Sequence, residues 1–368
     1  MLVPFVAAVA IAAPKPPVVR ASTIQDSPIA LTIGASRGTA RVTCSLDHAR
    51  ARTCTRAPTF KTKPGKHTVS VRAVDKRGRS SAARTVTVIV PSRAPGAVDV
   101  GGQPVGIAAA NGLVWVSGGS SGIVSAIDAS TKRVVASVQV GGQLGSVIAT
   151  SDAVWVSVFD GAAVVRIDPV RDVVTARIAV GGQPTGMAID AAGALWVGNL
   201  DSFLSRIDPA TATVTGKVAL PSGASQPLAA RGLLWVGLQN GSVVAVDPAT
   251  SSIAGAPAFV GPDVDALADT SAGLWVSTFG GSAALVDPTA RTVKHRVTLP
   301  SRGSGISFGN GSVWVSAYDS GLVVQLDPAT GALLGAVHTG SQPRESVVAG
   351  NTLWVTDQAA GAVTPIPI

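Results

Sequence analysis

Apolar and polar positions in this chain fall into short blocks that recur as a unit from residue 97 onward. In the first unit, "VGIAAANG" and "LVWVSG" are nearly continuous apolar runs, as strands covered on both faces require. "IVSAID" follows. In "VVASVQV", Val134, Ala136, Val138 and Val140 alternate with Val135, Ser137 and Gln139, the pattern of an outermost strand half open to water. Each unit carries one tryptophan: Trp115, Trp155, Trp196, Trp235, Trp275, Trp314 and Trp354 are 40, 41, 39, 40, 39 and 40 residues apart and are all the tryptophans present. A period near 40 with several strands per unit predicts seven β-propeller blades over residues 97–368. The last unit stops at "AVTPIPI" without a fourth strand, while "GAVDVGG" precedes the first unit with nothing ahead of it. A strand at 97–100 is therefore expected to pair with the last blade, sealing edges that would otherwise invite aggregation.

The pattern is different upstream. "IALTIGAS", "ARVTCSL", "HTVSVRAVDKRG" and "ARTVTVIV" predict six or seven short strands over residues 20–93, a small β-sandwich, with residues 94–96 as linker. Residues 1–19 are an apolar, signal-like run followed by a Pro-rich joint; the run is too short to span a bilayer at ~20 residues, and it lacks a basic start. Secretion is the expectation, to the exterior or the cell envelope, with no transmembrane span. Cys44 and Cys54 are the only cysteines. A disulfide is expected, since an oxidising exterior permits it; two buried thiols are the alternative, and zinc lacks the further ligands a tetrahedral site needs.

The abundance of Gly and Pro with few aromatics suits strands and tight turns. Charge is divided: residues 1–95 carry a net +13 and the remainder −5. The basic part includes Arg50, Arg52, Arg56, Lys61, Lys63 and Lys66, a surface able to meet anionic polymers. Nucleic acid is not the expected partner, because no stacking aromatics interleave these residues.

The run "CSLDHARARTCT…PGKHTVSVRAVDKRGRSS" resembles the bacterial Ig-like repeats of secreted multidomain proteins, through Cys44, Cys54, Gly65, His67, Val71, Arg72 and Asp75, with Arg79 where those repeats have Asn. That resemblance implies a spacer or adhesive module in which His67 is structural. The later unit, "GGQPxGIA…GxxWVSxxxxGxVxxIDPATxxVxxxVxVG", resembles YVTN-type repeat propellers and the wider class that includes streptogramin (virginiamycin B) lyases. The lyases use a histidine and a magnesium ion held by glutamates. Here Glu345 is the only glutamate of the chain, the repeats hold only His295 and His338, and Val105, Thr185 and Arg344 stand after "QP" or its equivalent. The lyase site is not reproduced, so no cofactor, metal site or catalytic residue is expected.

The repeated aspartates of "IDPAT" (Asp128, Asp168, Asp208, Asp247, Asp287, Asp327) read as turn formers, too widely spread for one ion. His295 is expected to face the blade interior and His338 the solvent. Binding on a propeller is expected where the repeat varies, at the second-to-third-strand turns and the loops leading into each blade. Those segments supply the candidate ligand-binding residues Phe159, Asp160, Asn199, Asp201, Gln239, Asn240, Phe279, Tyr318, Asp319, Arg344 and Glu345. Arg344 and Glu345 break the "QPxG" pattern, and such departures are where function is written. The expected protein is all-β: a monomeric, secreted or surface binding propeller behind an Ig-like sandwich, recognising a protein, glycan or cell-wall polymer. A diverged lyase-like enzyme is the alternative.

Overall fold

Strands supply the regular structure of residues 13–368, which a computed structural model describes; the signal-like run at residues 1–12 lies outside the described residues. Among the described residues there is no α-helix, only one-turn 3-10 segments at Gly119–Ser121, Tyr318–Ser320 and Gln358–Ala360. No helix among them is long and apolar enough to cross a membrane. The chain divides into two compact units, one ending at Ser92 and the other Arg93–Ile368.

In the first unit, one antiparallel sheet runs in the order Arg52–Cys54, Thr39–Leu46, Gly65–Asp75, Arg84–Val90. Two short strand pairs, Val18–Arg20 with Thr32–Gly34 and Ile29–Ala30 with Thr59–Phe60, supply the remaining apolar side chains. Alternation sends Val69 and Val71 inward with Val42, Val88, Ile29, Ile33 and Phe60, while the opposite face keeps its Lys, Arg and Thr in water. A disulfide joins Cys44 to Cys54, holding the short edge strand to its neighbour. His67 bonds the Asp47 carboxylate at 2.7 Å through Nδ1 and approaches the Lys63 carbonyl at 2.8 Å through Nε2.

The second unit contains seven antiparallel sheets of at least four strands. The first runs Ile107–Ala110, Leu113–Ser117, Ile123–Asp128, Arg133–Gln139, each strand hairpin-paired to the next, and five more repeat this order. The last takes three strands from Pro343–Pro367 and its fourth from Val98–Asp99, with Val98 opposite Val363. Innermost strands of successive sheets are neighbours, and the last, Pro343–Ala349, adjoins the first, Ile107–Ala110. This succession of four-stranded sheets is consistent with a β-propeller.

The tryptophans pack between sheets. Trp115 joins Val147, Val154 and Val156 of the next sheet, and Trp155 joins Met187, Leu195 and Val197. All seven are almost wholly buried. In three of the sheets, at Ser117, Ser157 and Thr356, a hydroxyl two residues after the tryptophan stitches neighbouring sheets: Ser157 accepts from the Ser146 amide and donates to the Thr185 carbonyl of the next sheet, both at 2.9 Å. Thr356 does the same between Glu345 and Val105. A buried hydroxyl needs such partners, and here they also fix the spacing of the innermost strands.

Two expectations for the outermost strands are corrected. Val134 is exposed, because a bulge between Ala126 and Ile127 shifts the register, leaving Ala136, Val138 and Val140 of that run packed inward. His295 is also exposed: it pairs with buried Leu285, but it sits on the sheet's outermost strand.

Candidate functional site

Each sheet meets the axis through its innermost strand, where the sequence mostly places small residues. Gly305 shows why: a Cβ there would lie 2.4 Å from the Arg344 carbonyl oxygen and 2.7 Å from the Glu345 Cα. Close approach of neighbouring strands demands glycine. Larger residues at these positions must point into the axial space, and the exceptions do so together.

A cavity of about 480 Å³ opens there. Its walls come from the innermost strands of five sheets, from Val105 just ahead of a sixth, and from the turns between second and third strands. Phe159, Leu200 and Phe279 form the apolar part; the side-chain amides Gln143, Gln226, Gln239 and Gln358 form the polar part. Asp265, Arg344 and Glu345 lie among them, and Asp263 stands at the exposed rim.

The charged groups are arranged in order. Arg344 lies over the Phe279 ring, 5.0 Å from its centroid, and its Nη2 is 3.5 Å from Asp265 Oδ1. Ser304 donates to the other Asp265 oxygen at 3.0 Å. The Asp265 charge holds Arg344 more firmly ionised, against the cost of burial. Glu345 is half-buried and lines the same cavity. Burial, reinforced by the Asp265 charge and only partly offset by Arg344, pushes its carboxyl up to about 8. The cavity therefore favours the neutral form of Glu345 beside an Arg–Asp pair of nearly cancelling charge.

Of the candidate residues, Phe159, Gln239, Phe279, Arg344 and Glu345 meet in this cavity. The other six do not line it, for visible reasons. Asp160 accepts the Gln143 amide at 2.8 Å and shapes the loop behind the cavity. Asn199 is fully buried and donates to the Val197 carbonyl at 3.1 Å. Asp201 is exposed, and Asn240 accepts the Ser242 amide of its own turn. Asp319 forms a two-pronged pair with Arg302, which stacks on Tyr318 at 4.9 Å. Tyr318 donates to Gln358 Oε1 at 2.6 Å, so it positions a cavity residue without entering the cavity.

Asp265 and Gln226 were missed from sequence. The signal was present: where five other units place Val, Gly, Thr or Ser and the seventh has Arg344, the fifth has Asp265, and Gln226 stands at the place of Gly186. The Asp265 charge reaches Glu345 although eighty positions separate the two in sequence.

The repeated turn aspartates are engaged locally. Asp287 accepts the Thr289 and Ala290 amides at 2.8 and 2.9 Å, and Asp128, Asp168 and Asp327 do likewise in their own turns. Hydrogen bonds, from the Ser130 hydroxyl foremost at Asp128 and from the Ala290 amide foremost at Asp287, hold these two carboxyls down at about 2.

No family model matches the chain, and no curated protein matches it in sequence. Among solved structures, hydrazine synthase of Kuenenia stuttgartiensis is similar in shape, with a TM-score of 0.65 at 17% identity, covering 73% of this chain and 96% of that one. At this identity the likeness is one of fold.

Proposed function

We propose that residues 97–368 form a seven-bladed propeller that binds a neutral saccharide in the axial cavity, carried behind an Ig-like module on a secreted or envelope protein. One observation carries this reading: two phenylalanines and four glutamine side chains converge on one cavity of about 480 Å³. Sugars present apolar C–H faces that stack on aromatic rings and hydroxyl edges that exchange hydrogen bonds with amides. Phe159 supplies an aromatic surface for such stacking, while the Phe279 face already carries Arg344. The Arg344–Asp265 pair offers donors and acceptors side by side with little net charge, which suits hydroxyls better than ions.

The test is calorimetric titration of the full chain with a panel of neutral oligosaccharides, chitotriose and cellotriose among them, repeated on Phe159→Ala. Saturable binding to one panel member that weakens at least tenfold in the variant supports the reading. Binding to none, or binding untouched by the substitution, removes it.

A second reading, an enzyme acting in the same cavity, is favoured by the Asp265–Glu345 pair. A carboxyl held toward its neutral form beside a carboxylate is the arrangement of a general acid with its partner. Cleavage of a bound oligosaccharide that disappears in Glu345→Gln would select this reading over simple binding.

A further inference from the structure

At the opposite end of the sheets, the residue paired across the hairpin from each tryptophan varies. It is Arg166 opposite Trp155 and Arg206 opposite Trp196, but Ala126, Ala245, Leu285, Gln325 and Pro365 in the other sheets. Directly opposed residues share a face, so each arginine lies over its tryptophan, both 5.7 Å from the ring centroid. In both, Nε is buried without a hydrogen-bond partner.

The terminal nitrogens differ. Arg166 Nη1 donates to Thr175 Oγ1 and Nη2 to the Asp152 carbonyl, each at 3.4 Å, and Nη2 lies 3.9 Å from the Asp152 carboxylate. Arg206 has no such partner: among the described residues its guanidinium makes no hydrogen bond and no ion pair. The carboxylates around it make their hydrogen bonds elsewhere, although Asp208 feels the Arg206 charge. Asp190 accepts Trp196 Nε1 at 2.8 Å and the Ala192 and Ala194 amides, and Asp208 accepts the Ala210 amide of its own turn.

Arg206 borders both a crevice of about 480 Å³ and an adjoining hollow of about 410 Å³. The crevice lies between two neighbouring sheets and is lined mainly by apolar groups, among them Ala229, Ala230, Leu233 and Pro248. A second cation, Arg231, stands at its edge, paired with Asp269 at 2.8 Å. A guanidinium carries five donors in a planar fork that matches a carboxylate. Here the fork is set by stacking, has no protein acceptor, and fronts an apolar recess.

We propose that this crevice binds a small amphipathic carboxylate, its anionic head on Arg206 and its apolar body against Leu233, Ala230 and Pro248. A free short-chain acid and the terminal carboxylate of a peptide share this chemistry. Asp190 and Asp208 offset part of the local charge, so hydrogen bonding and apolar contact carry the affinity.

The full chain is titrated with hexanoate, N-acetyl-L-leucine and the uncharged N-acetyl-L-leucinamide, with binding followed by NMR or calorimetry. The expected result is saturable binding of at least one acid, with the amide at least tenfold weaker than N-acetyl-L-leucine or silent. Tighter hexanoate binding identifies free acids as the ligand source; tighter N-acetyl-L-leucine binding identifies chain ends. Arg206→Gln should abolish the acid–amide difference, and Arg166→Gln should preserve it. Should Arg206→Gln fail to fold, Arg206→Lys keeps a cation over Trp196 without the fork and should weaken acid binding at least threefold. The proposal is overturned by no saturable binding at concentrations on the order of 10 mM, by equal binding of acid and amide, or by acid affinity unchanged in the arginine-206 variants.

Discussion

The two ends of the repeated sheets are built on opposite rules. At one end, aspartate turns recur nearly unchanged, and each carboxylate is engaged by amides two or three residues on. At the other, the turns vary from sheet to sheet and several incoming loops break the repeat, and these departures meet in one cavity. Repetition thus marks what holds the sheets, and irregularity marks what they can hold. The stable end has its own exception, since Arg206 departs from the pattern and fronts a recess.

This contrast makes predictions of decreasing size. Trp196→Ala, which empties a site between sheets that is fully buried, should cost about 3–5 kcal/mol in chemical denaturation. A loss below ~1 kcal/mol would mean that the tryptophans are not the packing element of the repeat. Phe159→Ala should instead weaken saccharide binding at least tenfold, roughly 1.4 kcal/mol, with little change in melting temperature. The reverse outcome, lost stability with unaltered binding, would erase the distinction between the two ends. Asp287→Ala should lower the melting temperature modestly and leave binding intact, because its carboxylate serves the turn amides and Lys294 of the adjoining strand and does not line the cavity.

The smallest effect is a slope. Glu345 has its folded pKa raised to about 8 from an ordinary 4.5, so the folded chain holds a proton that the unfolded chain releases. Its contribution to stability is complete below about pH 4.5 and declines as pH rises toward 8. Asp357, buried and raised for the same reason, acts with the same sign. Glu345→Gln should flatten the decline between pH 5 and 8 measured by urea titration; an unchanged slope would place the ionisation elsewhere.

Much of the architecture was legible in sequence. The tryptophan period and the apolar runs around it give the four-stranded repeat, because each sheet reuses one packing solution. Cys44 and Cys54 could be paired because no other cysteine competes. The cavity was less legible, since its members are about 40 residues apart and only the axis brings them together. Phe159 and Tyr318 occupy the same place in their units, yet one faces the cavity and the other turns to Gln358; hydrogen bonding decides this, not spacing. Asp265 stood out as an oddity in its repeat, but nothing local showed that it would meet Arg344.

The pairing of Val98 with Val363 has a bearing on how this protein is made. The first strand of the second unit to leave the ribosome finds its partner only after almost all the rest has been synthesised. Until then the nascent chain carries an unmatched strand at one end and an unfinished sheet at the other, a long-range contact that slows folding and prolongs exposure to chaperones. The closing contact therefore forms only once Val363 has been made, and the time spent waiting for it is set by elongation rate as well as by the sequence itself.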